Sequence, residues 1–176
     1  MFKRLGLIQV GSEIDYPLES LKKSIAIKFP ALKVEKASSF VSVNEAYYPQ
    51  MDQYHSTRIL ALLEKQIDPS CGQSLLGVTR FDLFVPGMNF VFGEARLPGP
   101  VGVISTHRLK SQKPDHPDLL RDRVIKEAVH EIGHMLGINH CSNSVCVMHF
   151  SEQIEDTDHK RAEFCESCQP QLEERT

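Results

Sequence analysis

The sequence has almost no excess of either charge. Its 20 Lys and Arg against 23 Asp and Glu leave a formal net charge of −3. Nucleic-acid binding calls for a basic stripe that meets the phosphate backbone, and none is present. No apolar run approaches the length of a membrane span, which excludes a transmembrane helix. The opening MFKRLGLIQVGSEI carries two basic residues, but its apolar run breaks at Gly6, Gln9 and Gly11, too soon for a secretory signal. There is no internal repeat and no low-complexity segment. These absences point to a soluble, cytoplasmic protein, expected as a monomer with no nucleic-acid or membrane partner.

Cysteine is sparse as well, with five in the chain. In a reducing compartment spaced cysteines suggest metal binding or catalysis before disulfides. Cys71, in the polar turn DPSCGQS, reads as an ordinary thiol. The other four, Cys141, Cys146, Cys165 and Cys168, all fall in the C-terminal part.

The 176 residues, 41% hydrophobic and 24% charged, suffice for one domain with a proper core. GLIQVG (6–11) reads as a buried strand, PLESLKKSIAIKF (17–29) as a helix, and ALKVEKASSFVSVN (31–44) as a strand. Residues 51–67 carry apolar positions at helical spacing and close at Asp68-Pro69. Strand-like runs follow at 75–85, 88–95 and 101–109, with turn signals that favour hairpin-like links. SQKPDHPD (111–118) is a polar loop, and 119–136 is a long helix. This order predicts an α/β (α+β) fold, a mixed sheet with packed helices. Residues 1–137 form the sheet-and-helix part. Residues 138–176 are polar and short of core formers, and are expected to need a staple.

That long helix carries His130 and His134 four residues apart, hence on one face. Ile125, Ala128, Val129, Ile132, Met135 and Leu136 form an apolar stripe roughly opposite. Two such histidines can be mere surface residues. Here Gly137 can end the helix with a positive φ, and His140 is placed to return as a third ligand. H-E-x-x-H-x-x-G-x-x-H is far more specific than its first half. Glu131 sits beside His130, where a carboxylate can take a proton from an attacking water and pass it to a leaving amine. Zinc on the three imidazoles would lower the water's pKa to about 7 and polarise the carbonyl.

These residues resemble a metzincin metallopeptidase, and Met148, eight positions after His140, fits that clan's Met-turn. HEIGHMLGINHCSNSVCVM followed by FCESC resembles the archaemetzincin branch, and NFVFGEA is similar to it as well. The resemblance implies a zincin-like twisted sheet over the metal helix, peptide or protein substrates, and a second zinc bound by cysteines. It also implies that the strand before the metal helix is an edge strand that pairs with substrate. VGVISTHRL takes that place, and its His107 and Arg108 are expected to be solvated rather than in contact with substrate.

Seven candidate ligands divide naturally into three and four, since a catalytic zinc keeps one position for water and a structural zinc takes four protein ligands. If His140 and Cys141 are extended, their side chains point to opposite sides. Cys141, Cys146 and the C-x-x-C pair Cys165 and Cys168 then make the structural site. A redox role for C-x-x-C would need a helix pattern after it, where Pro170 stands. Two disulfides would suit an exported chain. Glu127 is read either as a partner of a ligand histidine or, more simply, as a solvated glutamate. His149 and His159 are read as spectators, and nothing in the sequence places Tyr47 or Tyr48 in the cleft. The expected protein is a two-zinc metallopeptidase with Glu131 as general base. The alternative is a zinc-stabilised peptide-binding or regulatory protein without turnover.

Overall fold

The computed structural model describes residues 3–14, 16–68, 72–110 and 117–176. Cys71 and most of the 111–118 loop lie outside them. The elements run β1 (Arg4–Val10), α1 (Leu18–Lys28), β2 (Lys33–Val41), β3 (Tyr47–Tyr48), β4 (Gln53–His55), α2 (Ser56–Glu64), β5 (Gln73–Thr79), β6 (Leu83–Phe84), β7 (Gly93–Ala95), β8 (Val101–Ser105), α3 (Pro117–Met135), α4 (Ile154–His159) and α5 (Gln169–Glu173). The expected 51–67 helix begins only at Ser56, because Gln53–His55 is drawn into a strand beside Leu83–Phe84. The expected 75–85 strand divides in two, with its second half in a different sheet.

The main sheet has the order β2-β1-β5-β8-β7. Its first four strands are parallel, and β7 runs antiparallel to β8. It is therefore mixed, as the element order predicts. A smaller sheet, β3-β4-β6, stands apart from it.

Side-chain alternation along each strand feeds two cores. Leu5 and Leu7 of β1, Leu76 and Val78 of β5 and Ile104 of β8 pack against α1 and α3. Ile8, Val10, Leu75, Val101 and Val103 pack on the other face against Ile59, Leu60 and Leu63 of α2. Each of these buried aliphatic side chains contributes roughly 1.5–3 kcal/mol of transfer free energy. The apolar stripe predicted for the long helix is buried in full, from Ile125 to Leu136.

The C-terminal part departs from expectation. It does supply core: Ile138, Val147, Met148 and Leu172 are buried in the same cluster as α1 and α3. As a result α3 is covered on both sides, by the sheet and by the tail. A short helix, α5, also follows Cys168 directly, with Pro170 in its first turn. Proline is tolerated there because the first-turn N–H groups have no partner within the helix.

A further correction concerns the sheet edge. The strand before the metal helix, β8, is interior, held between β5 and β7. The edge belongs to β7, within NFVFGEA. Sheet order is set by long-range pairing, and the local pattern does not carry it. Arg108 is exposed, as expected, and is also paired with its neighbours in the fold. Its guanidinium forks onto Asp82 at 2.7 Å and covers the Phe90 ring at 4.3 Å.

Candidate metal centre

The metal helix ends in a double hydrogen-bonded turn. Ile138 N–H donates to the Gly133 carbonyl at 2.9 Å, and Gly137 N–H donates to the His134 carbonyl at 2.7 Å. This closure needs a left-handed residue, and Gly137 has φ +89°. The turn sends the chain back toward its own helix, which places His140 beside His130 and His134. One ring nitrogen from each of the three lies within 4.8 Å of the others. His134 Nε2 stands 3.1 Å from His130 Nε2 and 3.1 Å from His140 Nε2.

Backbone carbonyls fix which nitrogen carries the proton. His130 Nδ1 lies 2.7 Å from the Val147 carbonyl, and His134 Nδ1 lies 2.8 Å from the Ile138 carbonyl. A carbonyl oxygen only accepts, so both Nδ1 atoms donate and both Nε2 atoms keep a bare lone pair. Burial disfavours protonation of all three rings. It holds His130 well below the usual histidine range, brings His134 down to about 4, and lowers His140. Converging lone pairs repel unless a cation lies between them. Nitrogens on a tetrahedral zinc sit about 3.3 Å apart, given Zn–N bonds near 2.05 Å, so the donor set fits that ion.

Glu131 stands on the same helix with only 3% of its surface exposed. Among the described residues its Oε2 has no hydrogen-bond partner. Burial first, and then the nearby Glu127 carboxylate, push its pKa well above the usual range, and Lys160 only partly opposes them. The carboxylate lies against the edge strand at Gly93. A Cβ on Gly93 would stand 2.5 Å from Glu131 Oε1 and 2.8 Å from the Val103 carbonyl oxygen. Gly93 therefore permits a close approach that any other residue would block.

Imidazoles, carboxylate and edge strand share a cleft of about 410 Å³. Val85, Met88, Val91, Phe92, Leu97 and Phe150 give it an apolar wall. The outward groups of β7 follow from its ladder. Ser105 N–H donates to the Phe92 carbonyl, and Arg96 N–H donates to the Val101 carbonyl. Bonded pairs alternate in an antiparallel ladder, so Glu94 also faces β8, and Gly93 and Ala95 turn N–H and C=O outward. Glu94 is held in place by Ser56 and Thr57, whose hydroxyls donate to its carboxylate at 2.5 and 2.8 Å.

The four C-terminal cysteines form a second cluster, their sulfurs within 4.8 Å of one another. Cys141 Sγ and Cys165 Sγ are 3.7 Å apart. That is far beyond a disulfide and close to the roughly 3.8 Å edge of a tetrahedral zinc–thiolate site. Backbone N–H groups of Asn143 and Cys165 point at Cys141 Sγ and Cys146 Sγ, each at 3.4 Å. Burial raises the Cys165 thiol, but the N–H groups of Ser167 and Cys168 and the neighbouring sulfurs outweigh it, bringing it down to about 7. Burial pushes Cys168 far up. Four sulfurs converging in one pocket suit a bound cation.

The clusters share a backbone segment. Val147, whose carbonyl holds His130, lies between Cys146 and Met148. Cys141 N–H donates to the Met148 carbonyl at 2.9 Å. Met148 packs under the helix at Gly133, where an added Cβ would overlap Met148 Sδ and stand 3.3 Å from the Phe164 ring. Gly133→Ala sets two effects against each other. Alanine gains about 1 kcal/mol of helix propensity. Overpacking costs about 1–3 kcal/mol. The steric cost wins because Met148 is itself buried, so the variant is expected to melt about 2–4 °C lower in a thermal scan.

Other sequence candidates fall elsewhere. Glu127 is neither solvated nor bonded to a ligand histidine; it is paired with Lys160 at 2.9 Å. His149 Nδ1 faces the Cys141 carbonyl at 3.1 Å, and His159 Nε2 faces Ser144 Oγ at 3.3 Å, outside both clusters. Tyr47 and Tyr48 lie on β3, and neither lines the cleft. Sequence reasoning missed Gly93 and Lys160. Gly133 carried a signal, because a glycine inside a long helix costs stability and invites a packing reason.

Comparison with known proteins bears on the whole chain. The model of peptidase family M54 matches residues 9–174. Archaemetzincin of Archaeoglobus fulgidus is 43% identical over 161 residues, covering 92% of this chain and 94% of the relative. That of Methanocaldococcus jannaschii is 38% identical over 178 residues, covering 99% and 96%. The crystal structure of archaemetzincin from Methanopyrus kandleri superposes with a TM-score of 0.87 at 33% identity, covering 99% of this chain and 95% of that one. The Archaeoglobus fulgidus structure, complexed with malonate, gives 0.81 at 40% identity, covering 96% and 99%. Kinship of this extent means that the chain belongs to peptidase family M54, with the archaemetzincins, and is a zinc-dependent metallopeptidase.

Proposed function

We propose that His130, His134 and His140 hold a catalytic zinc, that Glu131 is the general base, and that Cys141, Cys146, Cys165 and Cys168 hold a structural zinc. The observation that carries this reading is the pairing of convergent bare Nε2 atoms with a buried carboxylate whose Oε2 has no partner, in one cleft. Zinc held there would supply a Lewis acid that brings a water's pKa to about 7 and polarises a peptide carbonyl.

The chain's own residues do the rest. The outward N–H and C=O of Gly93 and Ala95 pair with an extended peptide and lay it along the cleft. The apolar wall, with Met88 and Leu97 at its rim, takes an apolar side chain of that peptide. Glu131 accepts the proton of the water as it adds to the carbonyl, then delivers it to the departing amine nitrogen. The Val147 and Ile138 carbonyls keep two rings oriented throughout.

The test is a peptide-library digest with zinc-loaded and chelator-stripped protein, alongside metal analysis. The expected result is two zinc ions per chain and cleavage that chelation abolishes and zinc restores. Cleavage indifferent to chelation, or tight peptide binding without cleavage, would sink the reading.

A further inference from the structure

Outside the two clusters, the described residues include a buried pair of opposite charges. Lys160 is 1% exposed and Glu127 3% exposed. The Lys160 ammonium lies 2.9 Å from Glu127 Oε1, and Thr157 Oγ1 donates to that same oxygen at 3.1 Å. Lys160 Nζ also donates to the His149 carbonyl at 3.4 Å. Glu127 stands one turn before Glu131 on α3 and forms part of the cleft wall. His149 directly follows Met148, and its ring faces the Cys141 carbonyl. One buried ammonium thus joins the metal helix, the backbone behind Met148 and, through His149, the first cysteine.

Stability alone is a weak reason for such a pair. Desolvating two charges offsets most of their attraction, and neutral pairs of equal volume often serve as well. The seam between α3 and α4 is also fastened without it. Arg123 forks onto Asp158 at 2.6 Å, and Lys126 donates to the carbonyls of Thr157 and Asp158 at 3.1 Å. Neither of those fastenings reaches the His149 carbonyl.

We propose that Lys160, anchored on Glu127, is a positioning residue for the peptidase reaction: its ammonium pins the 147–149 backbone to α3 and so keeps the Val147 carbonyl on the His130 ring. It acts through that ring and touches no substrate. The proposal rests on the catalytic-zinc reading and adds a second support for the histidine cluster, independent of metal at the cysteines.

Lys160→Met alone would strand the Glu127 carboxylate in a buried site and is expected to weaken the fold. The informative protein is the double variant Lys160→Met with Glu127→Gln, a neutral pair of similar volume. Full-length wild type and variant are compared by thermal melting, by zinc affinity in chelator competition, and by kcat and KM on a cleaved peptide. The expected result is a Tm within about 3 °C of wild type. Zinc affinity at the histidines falls about tenfold. At saturating zinc kcat drops and KM holds. If wild type binds no zinc that His134→Ala removes, the catalytic-zinc reading fails and this proposal with it. If wild type binds zinc there and the stable double variant matches its affinity and kcat, the site reading stands and the role of Lys160 is overturned. A loss that appears only as the variant unfolds overturns it too, since the pair would then be structural.

Discussion

Glu131→Gln is expected to lower kcat about 10³-fold while the zinc content of the histidine cluster stays at the wild-type level. Glutamine keeps the shape of the side chain that lies against Gly93, so the cleft wall is preserved. What it loses is the ability to take up a proton. Positioned acid–base groups contribute about 10²–10⁴ in rate, and in the proposed reaction one group serves both the attack and the departure. The same substitution should raise the melting temperature of the metal-free protein. Burial and Glu127 oppose the Glu131 charge, and Oε2 has no partner to compensate. A carboxyl whose folded pKa exceeds its unfolded value destabilises the fold above the unfolded value and ceases to do so below it. The melting advantage of the variant should therefore be present at neutral pH, shrink as pH falls toward the ordinary carboxylate range near 4.5, and be absent below it. Its size is about 2–4 °C for each kcal/mol removed. Progress curves and thermal scans at several pH values check both parts. Retained kcat would exclude Glu131 as the base. Zinc lost together with activity would assign it to metal holding instead.

The burial that opposes the Glu131 charge is invisible in the sequence, which shows only a glutamate between two histidines. What could be read there was local. The i, i+4 histidines, the terminating Gly137 and the returning His140 all follow from helix geometry within eleven residues. The division of seven ligands into three and four followed from ligand chemistry, and the folded chain gathers the same two sets. The features that escaped are long-range. Gly93 meets Glu131 across thirty-eight positions, and Glu127 meets Lys160 across thirty-three. No periodicity links such residues, because the contact is made by sheet order and by the return of the tail. The edge strand escaped for the same reason. Gly93–Ala95 has only three residues, too few for an alternating pattern, and its place at the edge depends on how the other strands pair. The tail was underestimated because Val147, Met148 and Leu172 are scattered among polar residues, yet all turn inward.

Cys146→Ser is expected to abolish metal binding at the cysteine cluster and to weaken zinc at the histidines about tenfold, with every histidine intact. The first effect is one of ligand count. A serine hydroxyl does not replace a thiolate on zinc, and three sulfurs leave the site open. The consequence for the fold can be bounded. Ordering the eight residues from Arg161 to Cys168 costs roughly 8–16 kcal/mol of backbone entropy at about 1–2 kcal/mol each. Structural zinc sites supply about 10–16 kcal/mol, a sum of the same size. On the two-zinc reading, loss of the metal therefore removes the main support of this stretch. It also holds the 145–148 backbone from outside: Val147 N–H donates to the Glu163 carbonyl and Arg161 N–H to the Val145 carbonyl, each at 2.9 Å. When these go, the Val147 carbonyl is no longer fixed under His130 Nδ1, and the ring loses the partner that sets its tautomer. Removal of such an outer partner costs 10–100-fold in metal affinity, and the lower figure is expected because Lys160 still donates to the His149 carbonyl, two residues from Val147. Chelator competition on the variant, with cobalt substitution to separate nitrogen-bound from sulfur-bound metal, measures both effects. A histidine site that keeps wild-type affinity after the cysteine site has emptied would show that the shared segment does not couple them. The crowding of ligands between His130 and Cys146 would then be a matter of chain economy alone.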